Sequence, residues 1–310
     1  MKNYPVICMG NVLADILVRP VDRLPLRGGL RLVDDIHVAL GGCASNTAAA
    51  LGKMGARVAV MGKVGKDVYG CFVVGELRKA GVDTRHVLTD PSVPTSATLV
   101  LINSAGQRSF LHSIAANAEL QRREVSPSSF RGFRHLHVGG YFLFPGLDGA
   151  PMGTLLKKAR RMGLVTSLDT AWDIESRWMK ALQPCLPHLD YFMPSELEVR
   201  RLLGHRDPTK AARTFLSMGT FAVIIKRGER GAYYRDREGR EYQVAARRVK
   251  VRDTTGAGDC FCAGFIKGLS LGWDHLRCLQ LACSAGAYAV SAVGATAGIR
   301  SFAQVNRRTG

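Results

Sequence analysis

No run of apolar residues in this sequence approaches the roughly 20 needed to cross a bilayer, and the stretch ahead of Asn11 is too short for the apolar centre of a secretory signal. A cytoplasmic protein with no membrane partner is therefore expected. Paired cysteine spacings are missing too: the eight cysteines lie in apolar surroundings, as Cys8, Cys71, Cys278 and Cys283 do, and read as buried free thiols. Acidic residues are few, 25 against 43 Lys and Arg, which leaves a formal net charge of +18. The basic residues are scattered, with no aromatic interleaving and no helix-turn-helix or zinc-finger spacing, so the charge predicts a general pull on polyanions and no specific nucleic-acid partner. Two nucleotide-binding motifs are also absent. Gly62 to Gly70 looks superficially like a P-loop but lacks its spacing, and no Gly-x-Gly-x-x-Gly opens a helix after the first strand, which argues against a dinucleotide-binding dehydrogenase.

What is present is the composition of a soluble globule, 46% hydrophobic and 22% charged. The length suits one main domain with an appendage. Its most informative stretch is Asp253-Thr254-Thr255-Gly256-Ala257-Gly258-Asp259. Ahead of it Val249 and Val251 alternate with basic residues like a strand end, and behind it Phe261, Phe265 and Leu269 recur at helical spacing. Gly256 and Gly258 let such a strand-to-helix turn aim its amides at an anion, at the positive end of the helix dipole. Asp259 then either complements the dipole or, beside an anion hole, accepts a proton from a hydroxyl.

This stretch resembles the C-terminal signature of the ribokinase (PfkB) carbohydrate kinases, and further segments along the chain follow the same family in order. Asp15 interrupts an apolar strand where the family binds sugar hydroxyls. Gly41, Gly42 and Asn46 precede and open a helix read over 48–56; they suit close helix packing, and in the family they meet the sugar. Ser195 and Glu198 form a capping box by themselves, while the resemblance gives Glu198 a water of the magnesium ion. The family has Asn where this chain has Ser195, a departure that puts the strength of the metal site in question. Lys226, Gly228 and Gly231 match a segment that contacts ATP. Ala289 and Gly294 match a stretch whose carbonyls, with Asp253 and Thr255, hold a monovalent cation such as potassium in the family.

The strand and helix pattern agrees with that resemblance. Strands at 6–10, 57–61, 135–138, 165–168, 190–193 and 223–226 are separated by helices at 148–162, near 174–182 and from Pro194, which predicts a mainly parallel sheet covered on both faces. The fold expected is a three-layer α/β/α sandwich of one domain over 1–310. Extended segments within 12–38, one of them read over Leu30 to Leu40, and a hairpin within 95–113 are expected to form a small β lid. Arg108 and His112 on that hairpin are candidate substrate contacts, and the resemblance implies a homodimer through the lid. The activity implied is transfer of the γ-phosphoryl of ATP, with Mg2+, to a hydroxyl of a small carbohydrate, with Asp259 as base and Gly256, Ala257 and Gly258 as anion hole. A nucleoside kinase, or a sugar-sensing or nucleic-acid-binding protein without chemistry, are the alternatives.

Overall fold

The computed structural model describes residues 3–307. A buried strand, β1 (Val6–Gly10), is followed by β2 (Leu13–Arg19), β3 (Asp35–Gly41) and the first helix, α1 (Cys43–Lys53). Next come β4 (Val58–Gly65), α2 (Val68–Lys79), β5 (Asp83–Asp90), the hairpin β6 (Ala97–Ile102) and β7 (Arg108–Ser113), and a single turn, α3 (Ala115–Ala118). Strand and helix then alternate: β8 (His135–Tyr141), α4 (Ala150–Arg161), β9 (Val165–Thr170), α5 (Trp178–Leu182), β10 (Tyr191–Phe192), α6 (Glu196–Leu203), α7 (Pro208–Ser217) and β11 (Ala222–Lys226). An antiparallel pair, β12 (Ala232–Asp236) and β13 (Glu241–Val244), precedes α8 (Ala257–Ser270), α9 (His275–Val290) and α10 (Phe302–Val305).

The large sheet has nine strands in the order β13-β12-β11-β10-β9-β8-β1-β4-β5, parallel except at β12 and β13. Its central strands are apolar throughout because both faces are covered. In β1, Val6 and Cys8 face a core shared with α1, α2, α8 and α9, while Ile7 and Met9 face one shared with α4, α6 and α7. That is the three-layer sandwich expected. A separate four-stranded sheet, β3-β2-β6-β7, forms the lid.

Several boundaries differ from the sequence reading. Leu30 to Leu40 is strand only from Asp35, where β3 finds its partner in Arg19 of β2. The Leu and Arg alternation before it imitates a strand, yet Leu26, Leu30 and Leu32 stand exposed with no neighbouring strand. Helix α1 starts at Cys43 rather than near Ala48, because its first turn faces the site with small and polar residues that give no apolar signal. β4 runs on to Gly65, and the helix near 174–182 shrinks to Trp178–Leu182. β5, β12 and β13 went unread, since β5 and β13 are edge strands with weak alternation and β12, beside β13, ends in the charged pair Arg235 and Asp236.

Candidate active site

The parallel strands point their C-terminal ends at one crevice, beside the place where the chain's direction of travel across the sheet reverses, between β1 and β8. Open α/β sheets bind ligands at such a point. Asn11 follows β1 and accepts a hydrogen bond from the Cys43 amide at 2.9 Å, and Asp169 lies in β9 and Lys226 ends β11. Two helices then aim their N-termini inward. Gly42, at φ +92°, precedes α1 and Gly256, at φ +70°, precedes α8, and neither helix has a side-chain cap. By contrast, Asp67, Ser195, Asp207 and Asp274 cap α2, α6, α7 and α9. A helix leaves its first amides without intrahelical partners, so α8 and, apart from the Cys43 amide held by Asn11, α1 present theirs to the crevice.

Both glycines are required by geometry. A Cβ on Gly256 would lie 2.4 Å from the Ala295 carbonyl oxygen, and one on Gly42 2.5 Å from that of Asn11. Gly258 does not share in the turn as the sequence suggested. It sits inside the first turn of α8, and its missing side chain makes room for Lys226 Nζ, 3.2 Å from where a Cβ would be.

Asp259 is buried in the first turn of α8, and Asn46 Nδ2 donates to its Oδ2 at 2.9 Å. The Asn46 amide is thus committed to the carboxylate, while its Oδ1 is buried with no partner among the described residues. Burial, with the Asp169 carboxylate next in weight, raises the Asp259 pKa from 3.8 to about 7, against the opposing pull of Asn46 and Lys226. Lys226 is itself bonded to Asp169 through Nζ. Burial works against its charge, but Asp169 and then Cys262 and Glu198 outweigh it, so its pKa lies above the ordinary lysine value. Asp169 escaped the sequence reading, although an acid near the C-terminal end of a parallel strand was its signal. Cys43 escaped too; burial and the nearby Asp259 and Asp169 carboxylates keep its thiol protonated.

The lid lays a polar row over this floor. Asp15 of β2 pairs with Thr98 of β6, which pairs with His112 of β7, all on one face. The Thr98 hydroxyl lies 3.1 Å from His112 Nδ1, and Asp15 stands opposite Thr98 in the strand pairing. Burial raises the Asp15 pKa to about 6 and lowers that of His112. Gly41 is there to admit Asp15, whose Cγ lies 2.5 Å from where a Cβ would be. Arg108 departs from the expected free substrate contact. Its Nη2 meets Asp253 Oδ1 at 2.7 Å, and its Nη1 donates to the hydroxyls of Thr255 at 2.7 Å and Thr254 at 3.2 Å. Only Nε is left, buried and without a partner among the described residues.

The remaining expected positions divide. Ser195 caps α6 and exchanges hydrogen bonds with Glu198, Ser195 N to Oε2 at 2.6 Å and Glu198 N to Oγ at 3.3 Å. Burial raises the Glu198 pKa to about 7 despite Lys226 nearby. Gly231 has a structural duty, since a Cβ there would strike the Val244 carbonyl oxygen at the crossing of β12 and β13, whereas Gly228 borders open space. Of the positions expected to hold a monovalent cation, Asp253 is already engaged within the chain. Asp253 Oδ1 accepts from Arg108 and from the Thr255 amide at 2.7 Å, and Oδ2 from the Gly294 amide at 2.8 Å. Gly294 thus turns its N–H toward the carboxylate, and Ala289 lies in the last turn of α9.

The chain matches the pfkB family carbohydrate kinase profile over residues 5–301. It is 30% identical over 279 residues to a 2-dehydro-3-deoxygluconokinase of Bacillus subtilis (strain 168), covering 86% of this chain and 85% of that protein. It is 25% identical over 281 residues to a fructokinase of Vibrio alginolyticus, covering 87% and 91%. A candidate ribokinase II from E. coli, in complex with ATP and Mg2+, superposes with a TM-score of 0.84 at 27% identity, with 97% of each chain covered. An Arabidopsis thaliana ribokinase, complexed with ribose and ATP, shares the fold with a TM-score of 0.87 at 24% identity and 98% of each chain covered. Matched over nearly its whole length, the chain belongs to the pfkB family of carbohydrate kinases, enzymes that phosphorylate a sugar hydroxyl.

Proposed function

We propose that Asp259 is the base of an ATP-dependent sugar kinase whose acceptor lies between the lid row Asp15, Thr98 and His112 and the N-termini of α1 and α8. The carrying observation is a buried carboxylate with a pKa of about 7 in the first turn of an uncapped helix. A base titrating there is about half ionised at neutral pH and basic enough to take a proton. As the acceptor oxygen forms its bond to the γ-phosphorus, its proton passes to Asp259 while the bond from phosphorus to the bridging oxygen breaks and ADP leaves with that electron pair. The amides of Gly256, Ala257 and Gly258 face the developing charge, and stabilising that charge is most of what phosphoryl transfer requires. Lys226, held by Asp169 beneath Gly258, adds a fixed positive charge there. Asn46 orients Asp259 and keeps Oδ1 for an acceptor hydroxyl, and Arg108 keeps Nε for the same molecule.

Asp15, Gly41, Gly42, Asn46 and Arg108 serve the sugar in this reading, and Ser195, Lys226, Gly228 and Gly231 border the nucleotide. Magnesium fits the residues present in one way. Among the described residues no cluster of three or more His, Cys, Asp or Glu side chains is arranged to hold a metal ion. Magnesium, however, keeps most of its waters and binds through a carboxylate plus substrate phosphates. Glu198 is the carboxylate that would hold such a water, and the ion would neutralise phosphate charge. The relatives named above act on a keto-deoxy sugar acid and on fructose, which favours a small carbohydrate over a nucleoside. A binder without chemistry has no use for a carboxylate kept at this pKa.

The chain acts as one catalytic unit closed by its lid, in a reducing cytoplasm that suits eight free cysteines. Its lid also supports a dimer. Ile16, Val18, Ile36, Val38, Leu99 and Leu111 share the lid face opposite Asp15, and Ile36 and Leu111 are 64% and 61% exposed. The test of the base is Asp259→Asn, assayed by coupled ADP release over pentoses, hexoses and keto-deoxy sugar acids. Turnover on the accepted sugar falls at least about 10²-fold while ATP affinity persists; near-normal turnover would remove Asp259 from this role.

A further inference from the structure

The Asp253 side chain is 2% exposed and Arg108 is 11% exposed, so the ion pair between them is nearly dry. A buried carboxylate needs a counter-charge, and the family resemblance assigns that role to a monovalent metal ion. Here the three hydrogen bonds to Asp253 leave it at most one free lone-pair site of about four. A metal ion at that site would also face the guanidinium at close range. The donor set of this chain therefore does not fit the ion.

We propose that Arg108 is the resident cation of Asp253, carried into place by the lid, so that the phosphate-binding turn needs no monovalent metal ion. Its two terminal nitrogens span Asp253, Thr254 and Thr255, the three residues that lead into Gly256. Arg108 begins β7, paired with Ile102 at the end of the hairpin, so the charge moves with the lid. With the lid open, Asp253 loses its counter-charge and the turn ahead of α8 loses three side-chain contacts. With the lid closed on an acceptor, the turn is fixed. Acceptor and nucleotide are thereby coupled through one side chain, and the coupling is reciprocal. This inference rests on the kinase reading for the identity of the turn.

The experiment compares wild type, Arg108→Met and Arg108→Lys in choline, sodium and potassium chloride at equal ionic strength. Melting temperature without ligand and ADP affinity by calorimetry are measured in each salt. Wild type and Arg108→Lys are expected to behave alike in all three salts. Arg108→Met is expected to melt earlier and to bind ADP about tenfold more weakly in choline, with potassium or sodium restoring much of the loss. A loss in Arg108→Met that no alkali ion restores, with Arg108→Lys normal, still supports the tethered charge. Wild type that melts higher or binds ADP more tightly in potassium than in choline would overturn the proposal. So would Arg108→Met behaving as wild type, or Arg108→Lys behaving as Arg108→Met. If Arg108→Met fails to fold, the salt response of wild type and Arg108→Lys decides. Failure of the kinase reading shows elsewhere, as undiminished turnover in Asp259→Asn, and leaves these salt responses unchanged.

Discussion

Replacing Asp259 by Asn keeps the shape and a hydrogen-bond acceptor for Asn46 but removes a charge the folded protein holds at a cost. Burial and Asp169 raise this carboxyl from 3.8 to about 7, a shift of about three units, or about 4 kcal/mol at 1.36 kcal/mol per unit. Because the folded-state pKa is the higher one, the native protein binds this proton more tightly than the unfolded chain. The resulting stabilisation is whole below pH 3.8 and drains away as pH rises to about 7, beyond which the loss is constant. The Asn variant has no such loss, so its advantage over wild type grows between pH 5 and pH 8 by about 2–3 kcal/mol. With roughly 2.1 cal/mol/K of unfolding entropy per residue, that widens the gap in melting temperature by about 4 °C. Asp15 and Glu198, whose pKa values are also raised, titrate in both proteins and cancel in the comparison. Calorimetric melts without ligand across this pH range measure the gap. A gap that does not change with pH, or that narrows as pH rises, would refute the claim that ionised Asp259 is held at a cost, and with it the argument for a base poised near neutrality.

The same titration governs catalysis: kcat/KM with the accepted sugar rises as pH increases through about 7 and levels off above it, and a rate that falls over that interval would speak against Asp259 as base. Ser195→Asn leaves the cap of α6 intact, since Asn caps as well as Ser, while its longer amide reaches a metal-bound water; half-saturating magnesium is expected to drop, and an unchanged curve would make Ser195 only a cap. Ile36→Asp places a charge on the outer apolar face of the lid. It converts a dimer to a monomer by sedimentation, whereas an unaltered sedimentation coefficient would place any dimer contact elsewhere.

The sequence by itself determined the layers and the catalytic turn. Continuous apolar strands such as Val6–Gly10 are legible because burial on both faces leaves one choice of residue. Asp253 to Asp259 is legible because a tight turn into an uncapped helix needs its glycines at fixed positions. Asp15 and the hairpin of Arg108 and His112 could be read for a similar reason, as polar residues set against local strand patterns. Partnership was not legible. Asn46 and Asp259 lie 213 positions apart, and only packing of α1 against α8 makes one the orienting donor of the other. Asp169 and Lys226 meet only because β9 and β11 end at the same edge of the sheet. The neighbours of Asp253 were not legible either, because a carboxylate's partners are chosen in space: the lid brings Arg108 across 145 positions to its Oδ1. Spacing along a chain fixes local geometry, whereas the pKa values, the counter-charges and the free lone pairs that decide chemistry depend on which segments the tertiary fold places side by side.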